Sequence, residues 1–423
     1  MKYQKMKIKK SKNEKPKRDM KDKMKYPIYK NPVFRVEIEP NAGKTKVAAG
    51  GIFSPFLKQT VSQEMSFFDG EKYIAELREE TANPSFASYD KQYKNALIYS
   101  TWMPPIPSPA FKRMVAGRMK TAVLKKYRPE QVTVSITEEC PNRCLHCALP
   151  NKNNHSKLAP DEIMEAIDQA IHAGATNIIF DGGEPLGYTG LEDLVAYVDP
   201  KKAIACLFTS GVGLTLEKAM SLKKSGLYSI SVSIDSPFEE KHDEMRGVTG
   251  VFKMATEGIQ NALNAGLLVN MYVVLAPHNV NDLEEIWALA KEWKVHELSF
   301  YEIVPTGRWI SHENDMLTPE QHEKFHAFVE KCNNDLQGPR IFSGPHVIHE
   351  FGCMAGRQWL HITPEGNILP CSCVPVPYGN IKSDKKAIQT AWKKIQKEPA
   401  YQKAQGCLMR DKEFRSQYEK RFQ

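Results

Sequence analysis

Long apolar runs are missing from this sequence, and none reaches the roughly 18–20 residues that a helix needs to cross a bilayer. Residues 1–30 are rich in lysine and also lack an apolar stretch, so we expect no secretory signal there. No internal repeat is visible in the 423 residues. These absences disfavour a membrane-spanning, a secreted or a repeat protein, and we expect a cytoplasmic protein of about two or three domains.

Acidic residues are scarce at the start of the chain. Residues 1–30 carry 13 Lys/Arg and 3 Asp/Glu, a net charge of +10, whereas the whole chain carries +8, so the other residues sum to −2. The basic character therefore belongs to a tail that we expect to be disordered. Such a tail could touch nucleic acid or an anionic membrane, and of these we expect peripheral membrane contact rather than nucleic acid.

The nine cysteines are odd in number and unevenly spread, which argues against a disulfide scaffold. Cys140, Cys144 and Cys147 have the spacing C-x3-C-x2-C and follow a predicted strand at 132–137. Three thiolates this close can ligate three irons of a four-iron, four-sulfur cluster and leave the fourth iron open to a small molecule. The alternative is a zinc site with His146 as the fourth ligand, although zinc motifs usually pair C-x2-C with a distant second half.

A second motif, Gly182-Gly183-Glu184-Pro185, follows the next predicted strand at 177–181. Paired glycines at a strand end allow another molecule to approach the backbone closely. Backbone carbonyls and Glu184 could then accept the ammonium group of a bound amino acid. Alone, the run is typical of an ordinary βα turn, but one strand after the cysteine triplet it indicates a specific site.

Residues 129–310 alternate between strand and helix patterns. The predicted strands are 132–137, 177–181, 204–209, 229–234, 269–275 and 297–302. Successive βα units imply a parallel sheet with right-handed crossovers, and ligands bind at the carboxyl ends of its strands. We therefore predict an α/β fold: a partial, six-stranded TIM-type barrel between an N-terminal extension and a small C-terminal cysteine-bearing domain.

The flanking regions are less regular. The extension, 31–128, predicts a hairpin around Asn41-Ala42-Gly43 and a basic amphipathic helix at 110–127. We favour a packing helix with a solvated basic face over one that lies on a membrane or grips an amphiphile. A linker with one helix is expected at 311–345, followed by the turn-rich region 346–423.

The cysteine triplet and the Gly-Gly-Glu-Pro run, in this order, resemble the radical S-adenosylmethionine (SAM) superfamily over about residues 131–310. The resemblance implies that a reduced cluster cleaves SAM to a 5′-deoxyadenosyl radical, which removes hydrogen from an unactivated carbon. An electron donor such as ferredoxin or flavodoxin is then required. The SAM contacts that it implies are Gly182, Gly183, Glu184, Pro185, Ser210, Ser233, Asp235 and Arg246. A non-enzymatic iron–sulfur redox sensor is the rival, and it would not need these contacts.

The later cysteines resemble the SPASM and twitch extensions, which carry auxiliary iron–sulfur clusters. From this resemblance we expect one auxiliary four-iron cluster, with candidate ligands Cys353, Cys371, Cys373 and Cys407. Cys206 and Cys332 are expected to be buried structural thiols. Such relatives most often act on peptides or proteins, which makes these the first expectation; a lipid or isoprenoid, or a tetrapyrrole, is the alternative.

Overall fold

A computed structural model describes residues 25–30, 34–51, 70–77, 86–124, 126–149 and 155–422. The expected disordered tail lies outside these residues up to position 24. The expected disorder is wrong for the end of this tail, because Tyr26–Lys30 forms strand β1. Within the described ranges, no helix combines the length and the apolar character that crossing a membrane requires.

The N-terminal extension begins with a three-stranded antiparallel sheet. Strand β1 pairs with β2 (Phe34–Asn41), and β2 pairs with β3 (Lys44–Gly51). Ala42 and Gly43 close the β2–β3 turn with φ values of +51° and +82°. Glycine and small residues tolerate this left-handed backbone in tight hairpins. The predicted hairpin is confirmed.

Two short strands and two helices complete the extension. Strands β4 (Ala75–Glu76) and β5 (Leu97–Ile98) pair with each other and enclose helix α1 (Ala87–Gln92). Helix α2 (Pro109–Leu124) confirms the predicted basic helix and packs its apolar face against the three-stranded sheet. Arg113 of α2 donates to the carbonyls of Ile171 and Ala175, and Arg118 donates to Glu130, so part of the basic face makes internal contacts.

Seven parallel strands form the centre of the molecule, and their order in the sheet follows the chain. They are β6 (Gln131–Thr137), β7 (Asn177–Gly182), β8 (Ile204–Thr209), β9 (Ser229–Ser233), β10 (Leu268–Leu275), β11 (Glu297–Glu302) and β12 (Arg340–Ser343). The six predicted strands are confirmed, and β12 is an addition. The helices between them are α3 (Pro160–Ala173), α4 (Leu191–Tyr197), α5 (Leu216–Lys224), α6 (Glu239–Arg246), α7 (Val251–Asn264), α8 (Leu283–Glu292) and α9 (Pro319–Asn334).

The C-terminal region continues the same sheet. After α10 (Gly344–Phe351), strand β13 (Trp359–Ile362) pairs in parallel with β6, and β14 (Asn367–Leu369) and β15 (Gly379–Asn380) follow antiparallel. Helices α11 (Ala387–Ile395), α12 (Pro399–Lys403) and α13 (Lys412–Phe422) end the chain. The region 346–423 therefore shares a sheet with the preceding region. The α/β class is confirmed, while the curvature of a partial barrel stays a prediction.

A buried ion pair joins the extension to the amino ends of the strands. Glu297 and Arg340, which begin β11 and β12, pair with each other and are almost wholly buried. Ser100 Oγ and the Thr101 backbone N–H donate to the Glu297 carboxylate over 2.9 and 2.7 Å. Buried charges need such partners. These contacts hold the segment around Trp102 at the amino ends of β11 and β12.

Candidate active site

One cavity of about 330 Å³ extends from Trp102 and Gln131, at the amino end of β6, to the loops that follow the carboxyl ends of the parallel strands. Cys140, Cys144 and Cys147 line it, and so do Cys371 and Cys373 from the C-terminal region. The two predicted cysteine sets therefore meet at one space. Gly182, Gly183, Ser210, Ser233 and Arg246 from the predicted SAM contacts also line it.

The loop that carries the cysteine triplet is held by the end of α6. Arg143 N donates to the Arg246 carbonyl over 2.8 Å, and Leu145 N donates to the Met245 carbonyl over 3.0 Å. On the other side, Arg308 N donates to the Cys147 carbonyl over 2.9 Å. Among the described residues, no three His, Cys, Asp or Glu side chains are arranged around a single metal ion. The fit to a cluster rests on the donor set, three thiols beside one cavity.

The paired glycines, Gly182 and Gly183, pack closely against another segment of the backbone. A β-carbon on Gly182 would lie 2.3 Å from the Thr137 carbonyl oxygen, and one on Gly183 would lie 2.1 Å from that of Glu139. Gly183 N and Glu184 N donate to the same two carbonyls over 2.6 and 2.7 Å. The glycines thus let the turn after β7 pack on the stem of the cysteine loop. The approach of SAM to the cavity side of these glycines stays a prediction.

Glu184 is occupied by neighbouring groups. Its carboxylate accepts from Thr209 Oγ1 over 2.6 Å, from Ser210 N over 2.8 Å and from Leu186 N over 3.2 Å. Burial raises the pKa of this carboxyl, and the hydrogen bonds counteract part of the rise. Glu184 and Pro185 are not among the described residues that line the cavity. The structure therefore shows Glu184 tying the turns after β7 and β8 together rather than facing the cavity.

Asp235 is a buried carboxylate that contacts Arg246 and His146. It is wholly buried, pairs with Arg246 Nη2 at 2.8 Å and lies 3.7 Å from His146 Nε2. Burial alone would raise its pKa, but Arg246 and then His146 hold it down to about 2. Arg246 Nη1 in turn reaches Cys144 Sγ at 3.8 Å. Asp235 is thus a support for Arg246 beside the cysteine loop, and only Arg246 of this pair lines the cavity.

The four C-terminal cysteines lie close enough to perturb one another. The Cys353 and Cys407 thiols share a hydrogen bond, which lowers the pKa of Cys353 to about 6. Cys371 and Cys373 form a second pair, and the charges of Cys353 and Cys373 act across the two pairs. Cys206 and Cys332 are buried away from these sets, and burial raises both of their pKa values to about 12. Both are structural thiols, as expected.

Two groups of cavity residues were not predicted. The first is an aromatic wall: Trp102 lies 5.4 Å from Phe208 and 5.9 Å from Tyr301, and Tyr301 lies 5.1 Å from Tyr272, between ring centroids. The second is a polar group made of Ser135, Asp181 and His361. The inward positions of β6 and β7 could have revealed Ser135 and Asp181, because every second residue of a strand faces the same side.

Comparisons with known proteins match the part of the chain that carries this site. Residues 134–290 match the model of the radical SAM superfamily. An AdoMet-dependent heme synthase of Methanosarcina barkeri is 26% identical over 280 residues, which cover 60% of this chain and 80% of that protein. Fe-coproporphyrin III synthase of the same organism is 31% identical over 229 residues, covering 50% and 57%. PqqA peptide cyclase of Rhizobium meliloti is 28% identical over 255 residues, covering 57% and 67%.

Solved structures share the fold. Streptococcus suis SuiB bound to its precursor peptide SuiA superimposes with a TM-score of 0.56 at 14% identity, covering 92% of this chain and 97% of that one. The cysteine loop, the parallel sheet and these matches define an iron–sulfur enzyme of the α/β class. Residues 134–290 form a radical SAM domain. Its cofactors are accordingly SAM and a four-iron, four-sulfur cluster, which Cys140, Cys144 and Cys147 would hold.

Proposed function

We propose that the protein removes a hydrogen atom from a carbon of a peptide or protein residue that enters the cavity. SAM and the cluster supply the radical chemistry, and the chain supplies position and exclusion of water. Gly182, Gly183, Ser210, Ser233 and Arg246 are the SAM contacts in this proposal, because they line the cavity beside the cysteine loop. Ferredoxin or flavodoxin is the proposed electron donor.

The charge of the cavity is the observation that carries the choice of a peptide. Arg246 is the sole Arg or Lys among the described residues that line it, and its guanidinium pairs with Asp235. Asp181 and Glu302 line the same space. A tetrapyrrole carries several carboxylates, and burying them without free cations would be costly. A neutral or cationic side chain suits this lining better.

The aromatic wall supports the same choice. Trp102, Phe208, Tyr272 and Tyr301 line the cavity and contact one another through their rings. Such rings offer a rigid apolar surface against which one inserted side chain can pack. Trp102 belongs to the N-terminal extension. A hydrogen bond from its Nε1 to Ser299 Oγ of β11, over 3.1 Å, holds it in the wall.

An auxiliary cluster at Cys353, Cys371, Cys373 and Cys407 belongs to this proposal. The support is their mutual proximity and the presence of Cys371 and Cys373 in the cavity wall. A cluster held there would lie next to the substrate. It could then accept an electron from the substrate after hydrogen removal.

The test follows the hydrogen. The reconstituted enzyme is incubated anaerobically with SAM, dithionite and a peptide extract from cells grown on perdeuterated amino acids. We expect 5′-deoxyadenosine that carries one deuterium, and extracts labelled in single amino acids then identify the residue. Cys140→Ala is the inactive control. An enzyme with an intact cluster that yields no 5′-deoxyadenosine would refute the proposal of an enzymatic function. Unlabelled 5′-deoxyadenosine would refute the proposal of a peptide substrate.

A tetrapyrrole substrate is the second candidate, because two of the compared relatives are named as a heme synthase and an Fe-coproporphyrin III synthase. Iron coproporphyrin III added to the enzyme provides the comparison. A shift of its Soret band at micromolar enzyme, together with consumption of the porphyrin, would favour this candidate over the peptide. We expect neither.

A further inference from the structure

Three polar side chains from neighbouring strands meet inside the cavity. Ser135 of β6 donates its hydroxyl hydrogen to Asp181 Oδ1 of β7 over 2.7 Å, and the same Oγ lies 3.2 Å from His361 Nε2 of β13. All three line the cavity. Ser135 and His361 are 1% and 3% exposed, so their partners within this group matter.

The hydrogen bonds fix the tautomer of His361. Because Ser135 spends its only hydrogen on Asp181, its oxygen must accept from His361 Nε2–H. The other ring nitrogen, Nδ1, then carries a lone pair. It has no hydrogen-bond partner among the described residues. A buried ring nitrogen with a free lone pair is poised to receive a proton or a donor from a ligand.

The hydrogen bonds from His361 through Ser135 to Asp181 also stabilise the positive charge that such a proton would bring. A proton on Nδ1 makes the imidazole cationic, and the Asp181 carboxylate compensates it through Ser135. Burial lowers the pKa of His361, and the negative charges of Asp181 and then Glu365 counteract part of this by favouring the protonated ring. Glu365 belongs to the turn between β13 and β14, and Asp181 ends β7.

We propose that His361 is the proton acceptor of the reaction and that Ser135 and Asp181 are its positioning residues. This inference rests on the proposed function. The substrate carbon first loses a hydrogen atom to the 5′-deoxyadenosyl radical. Forming a new double bond or cross-link then requires the loss of one electron and one proton. An oxidised auxiliary cluster, which Cys353, Cys371, Cys373 and Cys407 would hold, would supply the electron acceptor. The proton passes to Nδ1 of His361, so the substrate loses two hydrogens in total.

The test uses the reconstituted holoenzyme with the perdeuterated peptide extract, SAM and dithionite. His361→Gln keeps an N–H for Ser135 but removes the base, and Asp181→Asn keeps an acceptor oxygen but removes the charge. For both we expect monodeuterated 5′-deoxyadenosine at the wild-type level, while the oxidised peptide falls about a hundredfold. The stalled substrate radical then takes one electron from dithionite and one proton from water, so the substrate accumulates with one deuterium replaced by hydrogen. His172→Gln, an exposed histidine on α3, is the matched control.

Three outcomes separate the possibilities. If the wild type transfers no deuterium, the proposed function fails first. If both variants transfer deuterium and still make the oxidised peptide at the wild-type rate, only the assignment of His361 falls. If they lose the cluster absorbance, the residues act in folding, and the milder Ser135→Ala variant must then give the deuterium-for-hydrogen exchange for the proposal to stand.

A second readout needs no turnover. In ¹⁵N-histidine NMR of the oxidised holoenzyme, His361 should show the tautomer with a protonated Nε2 and an unprotonated Nδ1. Asp181→Asn should move its resonances, and His172→Gln should leave them in place. A His361 protonated at Nδ1 at neutral pH would overturn the proposal.

Discussion

Arg246 is a charged side chain that contacts a thiol of the cysteine loop. It donates to Cys144 Sγ at 3.8 Å and is held by Asp235 at 2.8 Å. Hydrogen bonds and positive charge at cluster sulfurs stabilise the more negative, reduced state. We therefore expect Arg246→Gln to lower the reduction potential of the cluster and Asp235→Asn to raise it. EPR-monitored redox titration without SAM measures both.

The opposite signs make this prediction specific, because simple loosening of the loop would move both variants the same way. Lys241→Gln is the control, since Lys241 lies on the same helix and pairs with Asp282 instead. Equal shifts in Arg246→Gln and Asp235→Asn would refute the electrostatic account.

His242 should make stability depend on pH. It is fully buried, and its Nδ1 accepts the backbone N–H of Asp235 over 3.1 Å, which requires a neutral ring. Burial and then Arg246 lower its pKa to about 4 from an ordinary value of about 6.5. Because the unfolded chain binds this proton first, stability is lost as pH falls from about 6.5 to about 4, by up to ~3 kcal/mol.

Urea unfolding of the cluster-free protein across that pH window measures the effect. His242→Gln should flatten the curve, and His172→Gln should leave its slope intact. A wild-type slope that survives in His242→Gln would assign the effect to other groups.

At the scale of elements, the turn after β7 and the cysteine loop behave as one unit. Gly183→Ala would place a β-carbon 2.1 Å from the Glu139 backbone oxygen, so the cysteine loop must move. We expect the variant to lose most of its SAM-binding cluster after reconstitution. Iron analysis and EPR report the loss. Gly187→Ala is the matched control, because a β-carbon there meets no atom within 4 Å; equal iron in both variants would contradict the expectation.

The sequence predicted the elements whose pattern is local. Strands β6 to β11 are short segments rich in β-branched, aromatic or other apolar residues, and all six were predicted close to their observed bounds. Strand β12 was missed because it has only four residues and begins with a buried arginine, Arg340, whose partner Glu297 is distant in sequence. Strand β13 pairs with β6, more than two hundred residues earlier, and no local pattern reveals such a partner.

The same distinction applies to the site. The cysteine triplet and the SAM contacts follow predicted strands, so their approximate place could be read from order and spacing. His361 and Trp102 reach the cavity from regions outside the six predicted strands, through β13 and through the buried contacts of Glu297 with Ser100 and Thr101. Those contacts depend on burial and pairing between distant segments, and the sequence pattern does not encode them in any one window.

At the scale of the whole molecule, the parts flanking the strands complete the cavity. The extension contributes Trp102, and the C-terminal region contributes Trp359, His361, Cys371 and Cys373. The shared sheet fixes the second contribution, since β13 lies directly beside β6, the strand that leads into the cysteine loop. One sheet therefore holds together the cysteine loop and the flanking side chains that line the same cavity.

This arrangement predicts separable iron contents. The reconstituted wild type should bind about eight irons per chain, corresponding to two four-iron clusters. Cys353→Ser/Cys407→Ser should bind about four and still form 5′-deoxyadenosine from SAM, because Cys140, Cys144 and Cys147 are intact. Cys206→Ser, which alters a buried thiol inside β8, should keep all eight. Iron and sulfide analysis with Mössbauer spectroscopy counts the clusters, and a wild type with only four irons would remove the auxiliary cluster from the proposed reaction.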